Sequence, residues 1–399
     1  MADLSYQIPD AGRPKRVVRI PESHALYLCP NACGRRQGIR ALRNGIADHV
    51  SFLRFDEADV VSGDYERQVG DAVEELLDVL RPRPRVVLLY VNCIDDFLGT
   101  DEESLLDELR DRFPSMRFLL SHINPIAADV KRSTAKNIHT RLYDLLERPV
   151  RRDRAVNLVG NFEPLDGECE FFDALHALGA PGVRQIIACE TFDEYLHLAQ
   201  SCLTVSLSHL GDGAADAMRE RFGMPAIRWH ACYDVDEIAA RYDALADALG
   251  GAWNGSDVAA RAARRAIADA RIAVGELPVT VDSSASLMPF SLARTLLAYG
   301  FNVTAVFGLH VKGCDDEAER LLARERPDVA IIRHGSYEAM AGYGFPSRCL
   351  AVGMDAAFLL CAEHAVDMYH DEGYFGYHGV VRLMDDLARE AVRMREWSA

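Results

Sequence analysis

Three cysteines stand where strand-tip thiols can do redox chemistry. Cys29 and Cys33 lie in Ala25-Leu-Tyr-Leu-Cys-Pro-Asn-Ala-Cys-Gly-Arg-Arg36, which reads as a short apolar strand, a Pro/Asn/Gly turn and a helix beginning near Arg35. Cys93 closes the run Val86-Val-Leu-Leu-Tyr-Val-Asn-Cys93 and is followed by Ile-Asp-Asp-Phe-Leu-Gly-Thr and a further helix. All three therefore fall at the tip of a strand. A helix N-terminus and the cations Arg35 and Arg36 favour thiolate over thiol, and thiolates are what an iron-sulfur cluster requires. Three of them leave a four-iron cluster one short of its usual cysteine set, so the last ligand must come from Asp95, Asp96, His24, water or a second subunit. Zinc competes, but its structural sites gather Cys-x-x-Cys pairs with four local ligands, an arrangement absent here. Cys189, Cys202 and Cys361 sit inside or beside apolar runs and read as small buried hydrophobes. Cys169, Cys232, Cys314 and Cys349 have no partner at ligand spacing.

Histidines form a second group, because their protons exchange near neutrality and a multi-electron reduction must deliver protons with its electrons. His209, His230, His310, His334, His370 and His378 all follow strand-like runs or stand in the loops after them. His310 in Phe307-Gly-Leu-His310 and His334 in Ile331-Ile-Arg-His-Gly335 follow strands of the last third of the chain, whose loops face a ligand if the doubly wound rule holds. Two other features imitate cofactor sites. Gly211-Asp-Gly-Ala-Ala-Asp216 follows a strand and opens a helix, yet Asp216 replaces the third glycine of a dinucleotide turn and would repel a pyrophosphate. No Gly-x-x-x-x-Gly-Lys-Ser/Thr occurs, so no ATP site is expected in this chain.

The elements that must position these residues are legible in the same pattern. Apolar, β-branched runs recur with amphipathic helical stretches between them, the mark of βα units feeding parallel sheets. Beyond the two strands above, they predict strands at Met116 to Ser121, Val156 to Val159, Gln185 to Cys189, Leu203 to Ser206, Ala226 to Trp229, Val279 to Asp282, Val303 to Phe307, Val329 to Ile332 and Leu350 to Val352. The charged stretch Glu147 to Arg154, and Gly275 with Pro278 after the helix Val258 to Val274, divide the chain into three α/β domains of residues 1–155, 156–275 and 276–399. With 399 residues, 49 % of them apolar, there is material for several cores. A net charge of −17 repels phosphate backbones and anionic headgroups, so neither nucleic acid nor a membrane is an expected partner. Met1 to Pro21 has no apolar h-region, and the apolar run Leu350 to Val366 is broken by Asp355, Glu363 and His364. A cytoplasmic chain with unpaired thiols is the expectation.

At these residues the sequence resembles component 1 of the nitrogenase superfamily, which includes the nitrogenase molybdenum-iron protein subunits and the catalytic subunits of light-independent protochlorophyllide reductase. Pro30-Asn-Ala-Cys33 is similar to the family turn "HGPVGC", and Phe55-Asp-Glu-Ala-Asp-Val-Val-Ser-Gly-Asp64 to "DIVFGG". Val91-Asn-Cys-Ile-Asp-Asp-Phe-Leu-Gly-Thr-Asp101 is similar to "CPIGLIGDD", Met218-Arg-Glu-Arg-Phe-Gly-Met-Pro225 to the helix ending in "YGIP", and Gly373-Tyr-Phe-Gly-Tyr-His-Gly379 to "PYHGYDG". The resemblance implies three Rossmann-like domains with parallel sheets and an iron-sulfur cluster, four-iron or P-cluster-like, held by Cys29, Cys33 and Cys93 near a subunit interface. It further implies a homodimer or a hetero-oligomer with a sibling component 1 subunit, electrons from a separate ATP-dependent iron protein, and reduction of a substrate, organic by expectation, in a cavity among the domains. His310, His334 and His370 are the candidate proton donors, His370 standing near the family's cofactor-binding histidine. The sequence departs from the nitrogenase subunit in two places. Cys29 lies only four residues before Cys33 rather than well upstream, and the place of the cofactor-holding cysteine falls at Leu207, between Ser206 and Ser208. A non-catalytic scaffold for metallocluster assembly, or a small-molecule binding protein of doubly wound domains, are the alternative readings.

Overall fold

The computed structural model describes residues 17–63, 65–94, 99, 101–123, 134–308, 314–333, 349–362 and 364–396. Among them the chain forms an α/β fold with three parallel sheets. The first sheet holds β1 (Ser23–Leu28), β2 (Val50–Leu53), β3 (Val86–Asn92) and β4 (Arg117–Ile123) in the order β2-β1-β3-β4. Helices α1 (Asn31–Arg43), α2 (Glu57–Ser62), α3 (Tyr65–Val79) and α4 (Glu102–Arg112) connect its strands, and α5 (Thr134–Arg141) follows. A parallel strand covered on both faces must be apolar, and β3 is from Val86 to Val91. Val87, Leu89 and Val91 share a core with Val69, Val73 and Leu77, spaced one helical turn apart on α3, and with Leu105 and Leu109 of α4. Val86 and Leu88, on the other face, share a core with Tyr143, Val159, Phe192 and Tyr195.

The second sheet holds β5 (Val156–Val159), β6 (Val183–Arg184), β7 (Leu203–Ser206) and β8 (Ala226–Arg228) in the order β6-β5-β7-β8, with α6 (Glu170–Ala177), α7 (Phe192–Leu196) and α8 (Asp212–Phe222) between them. Helices α9 (Val235–Leu249) and α10 (Ser256–Val274) lead to the third sheet, made of β9 (Val279–Asp282), β10 (Val303–Gly308), β11 (Ala330–Arg333), β12 (Leu350–Val352) and β13 (His364–Val366) in the order β11-β10-β9-β12-β13. Helices α11 (Pro289–Ala298), α12 (Asp316–Glu325) and α13 (Met354–Leu359) join its strands, and α14 (Gly376–Glu396) ends the chain, packed along α10.

The chain packs as two compact units. One comprises Pro14–Phe162 and Val183–Ala226 and so joins the first sheet to most of the second around the shared core of β3; the other comprises Glu163–Gly182 and Ile227–Ala399 and contains the third sheet. Two departures from the expected elements have local causes. Gln185 to Cys189 is not a strand: pairing stops after the two residues of β6, and Ile186–Ala188 form a 3₁₀ turn whose Ile186 is buried in the shared core. The strands β2 and β13, not anticipated, are edge strands whose residues are half-buried apart from Val366, and at four and three residues they are too short for a periodic pattern to mark them.

In each sheet the chain first moves outward, from β1 to β2, from β5 to β6 and from β9 through β10 to β11, and then returns to build the other side. The strand order therefore reverses between β1 and β3, between β5 and β7, and between β9 and β12. At such switch points the carboxyl ends of the strands leave a crevice for ligands.

Candidate functional site

Cys29 and Cys93 leave the carboxyl ends of β1 and β3, the two neighbours at the first switch point. Register ties their strands through Tyr27 opposite Tyr90, and Asn92 extends the tie: its side-chain amide donates to Leu28 O at 2.6 Å while its Oδ1 accepts from the Ile94 N–H at 2.9 Å. One buried asparagine thus fixes the two cysteine-bearing turns relative to each other. It is a residue that sequence reasoning passed over, although a polar side chain ending an apolar strand was the available signal.

The Cys29 N–H donates to Leu53 O at 3.1 Å, continuing the β1–β2 ladder by one residue, and its thiol is buried beneath the first turn of α1. There Gly34 leaves the room: a Cβ at that position would stand 3.0 Å from Cys29 Sγ and 3.1 Å from the Phe52 ring. Cys33 sits in the same first turn, its N–H on Pro30 O at 3.1 Å, with its side chain exposed, and Cys93 is half-buried. The helix starts at Asn31, four residues before the expected Arg35, and no acidic residue of its first turn competes for the N-terminal N–H groups. Behind the cysteines, Tyr27 stacks on Tyr90 at 4.8 Å and on Phe52 at 5.4 Å, an apolar ladder across three strands. Burial pushes both tyrosine hydroxyls up, so they stay neutral.

These thiols match iron-sulfur chemistry in kind, and the cradle over Gly34 is shaped for the Cys29 sulfur. The structure does not bring Cys29, Cys33 and Cys93 together as a ligand set: among the described residues no three His, Cys, Asp or Glu side chains converge as a metal site. Of the fourth-ligand candidates, Asp95 and Asp96 lie outside the described residues. His24 is excluded by geometry, since it stands five residues before Cys29 along an extended strand, about 16 Å away, and its Nε2 is 2.9 Å from Ser51 Oγ. Burial there holds its ring down to about 4.

Most of the remaining cysteines favour the thiol over the thiolate. Burial pushes Cys189 up to about 11 and Cys232 up to about 12, and raises Cys169, Cys202 and Cys349. Of the three cysteines expected to be buried, Cys189 and Cys202 are half-buried and Cys361 departs furthest. It is exposed just past the end of α13, at a left-handed φ of 49°.

At the second switch point Ser206, Leu207 and Ser208 are buried in a closed network. The Ser206 hydroxyl donates to Asp212 Oδ1 at 2.8 Å and the Ser208 hydroxyl to Gly160 O at 2.6 Å. The glycines of the dinucleotide-like turn serve packing, since a Cβ on Gly211 would come within 2.7 Å of the Val159 carbonyl and one on Gly213 would strike the Thr140 hydroxyl. Sequence reasoning missed His139, on α5, which pairs edge-on with Phe162 at 5.0 Å; burial and His209 together hold its ring down to about 4. At the third switch point only one of the three candidate proton donors can be located: His370 lies in the segment after β13, while His310 and His334 lie outside the described residues.

Solved structures titled "Nitrogenase Cp1 at pH 6.5" and "Nitrogenase Cp1 at pH 5" share this fold. The first has TM-score 0.72 and 14% identity over 100% of this chain and 96% of the other. The second has TM-score 0.62 and 13% identity over 98% of this chain and 91% of the other. Among curated proteins no sequence matches. The family described as "Nitrogenase component 1 type Oxidoreductase" matches residues 18–391, a span that contains all three sheets. With that span and that fold, the chain belongs to the nitrogenase component 1 type oxidoreductases.

Proposed function

We propose that this chain is the catalytic subunit of a nitrogenase-like reductase of the cytoplasm. It receives electrons from a separate ATP-dependent iron protein and reduces an organic substrate. What supports the reading is that Cys29 and Cys93 leave neighbouring strands at one switch point, their turns tied by Asn92, with Cys33 in the helical turn that follows Cys29. These three residues would hold an iron-sulfur cluster, which supplies one-electron transfer when bound. Cys29 offers its sulfur from beneath α1, Cys33 is exposed and Cys93 half-buried, and three thiolates leave one ligand of a four-iron cluster to be supplied. That favours an obligate partner, a second copy or a sibling component 1 subunit. Leu207, buried where a second metallocofactor would need a thiolate, favours an organic substrate over a molybdenum or vanadium cofactor. Protons come from His310, His334 and His370.

Anaerobic purification tests this. The expected protein is brown, with about four irons per cluster, and Cys33→Ser or Cys93→Ser loses most of the iron while Cys361→Ser keeps it. A colourless anaerobic preparation without iron would overturn the reading and leave a binding protein of doubly wound sheets.

A further inference from the structure

The segment after β13 begins at the edge of the third sheet and ends over its middle. The His370 N–H donates to Ser284 O and the Asp371 N–H to Ala285 O, both at 2.8 Å, so the strap Tyr369–Glu372 crosses from β13 past β12 to the loop that follows β9. It lies across the third switch point. Two consecutive residues of this strap are left-handed without being glycine, His370 at φ 47° and Asp371 at φ 63°. Such backbone persists only where its surroundings over-determine it, and it gathers at functional sites.

The Asp371 side chain supplies that determination. Its Oδ1 accepts from the Tyr233 hydroxyl at 2.8 Å and its Oδ2 from the Leu287 N–H at 3.0 Å, with the Ser286 hydroxyl as a third donor. Ser286 and Leu287 directly follow the two residues whose carbonyls hold the strap, so backbone and carboxylate grip the same loop from both sides. The Asp371 carbonyl also accepts from the Tyr374 N–H at 3.0 Å, and the His370 ring lies stacked on Tyr369 with centroids 4.1 Å apart. Glutamate at 371 would carry its carboxylate one methylene too far for these donors, and asparagine would turn an N–H₂ group toward a hydroxyl that is donating.

We propose that Asp371 is the positioning residue for His370, its carboxylate anchoring the strained strap so that the imidazole is held over the third switch point, where a reduction needs its proton donor. The proposal deepens the functional reading above and rests on its assignment of His370. It is tested on the full chain labelled with ¹⁵N-histidine, the His370 ring resonances being assigned by their loss in His370→Gln. Asp371→Gly removes the carboxylate and relieves the left-handed backbone together. It should shift the His370 resonances toward those of a free imidazole and speed amide exchange at Ser286 and Leu287 at least tenfold. Tyr233→Phe, which removes one donor and leaves the strap sequence intact, should move the same resonances less and in the same direction, which keeps the test available should the first variant fold poorly. His370 resonances unchanged in both variants would overturn the proposal. Iron content, and turnover of His370→Gln, report separately on the functional reading, so failure of one is not mistaken for failure of the other.

Discussion

Asn92 shows how much of a site can hang on one amide. Replacing it by alanine strips the donor to Leu28 O and the acceptor for the Ile94 N–H, leaving buried backbone groups unpaired at about 1–3 kcal/mol for the site. Asn92→Ala should lower the unfolding free energy from denaturant titration by that amount and also reduce iron retention, because the turns carrying Cys29 and Cys93 lose their common tie. Equal iron in variant and parent would show that the two turns are held by other means. At this scale the sequence was legible for residues whose chemistry announces itself, Cys29, Cys33 and Cys93 among them. It was silent on Asn92 and Asp371, whose importance comes from partners 64 and 84 or more residues away. Cys361 misled because an apolar neighbourhood in sequence does not fix which side of a helix end a thiol takes.

Elements were predicted well where burial on two faces forces an unbroken apolar run, as in β3, β9 and β10, and poorly where pairing is brief. The stretch Gln185 to Cys189 is apolar because its turn is buried, a use of hydrophobicity that periodicity cannot tell from a strand over so few residues. Helix starts were also displaced, since the onset of α1 at Asn31 depends on Pro30 rather than on a capping side chain. The longest helix has the opposite arrangement. The Glu170 carboxylate accepts the Tyr377 N–H at 2.6 Å and the His378 N–H at 2.9 Å at the start of α14, and the Tyr242 hydroxyl at 2.7 Å. A negative charge at a helix N-terminus is stabilising, and hydrogen bonds to a charged group contribute about 1.5–3 kcal/mol. Glu170→Gln keeps the shape and loses the charge, so thermal unfolding should come earlier and exchange in the first turn of α14 should rise. Exchange that stays at the parent's level would assign the anchoring of α14 to its packing against α10 alone.

Across the whole molecule the two units differ in the buried histidines and aspartates that burial shifts furthest. In the unit of the first two sheets, His24 and His139 are held down to about 4, so the neutral ring is the folded form. Their contribution is complete above the ordinary histidine value of about 6.5 and is lost as pH falls from there toward 4. In the unit of the third sheet, burial pushes Asp315 and Asp371 up to about 6, and their contribution runs the other way, present below about 4 and lost as pH rises through 6. Hydrogen exchange at pH 4.5 and pH 7, corrected for intrinsic rates, should therefore show protection falling in β3 and β5 on acidification while it rises in β9 and β12. Parallel changes in both units would refute the assignment. The division of the chain has a further consequence for its synthesis. Glu163–Gly182 belongs to the later unit but leaves the ribosome before the earlier one is complete. Phe171 of α6 packs against Trp229 and Phe375, so its last partner is made 204 residues after it. At ~5–20 residues per second that is a wait of roughly 10–40 s. For that interval the apolar face of a short helix waits for its partners, a nascent-chain substrate for holding factors that the finished protein no longer displays.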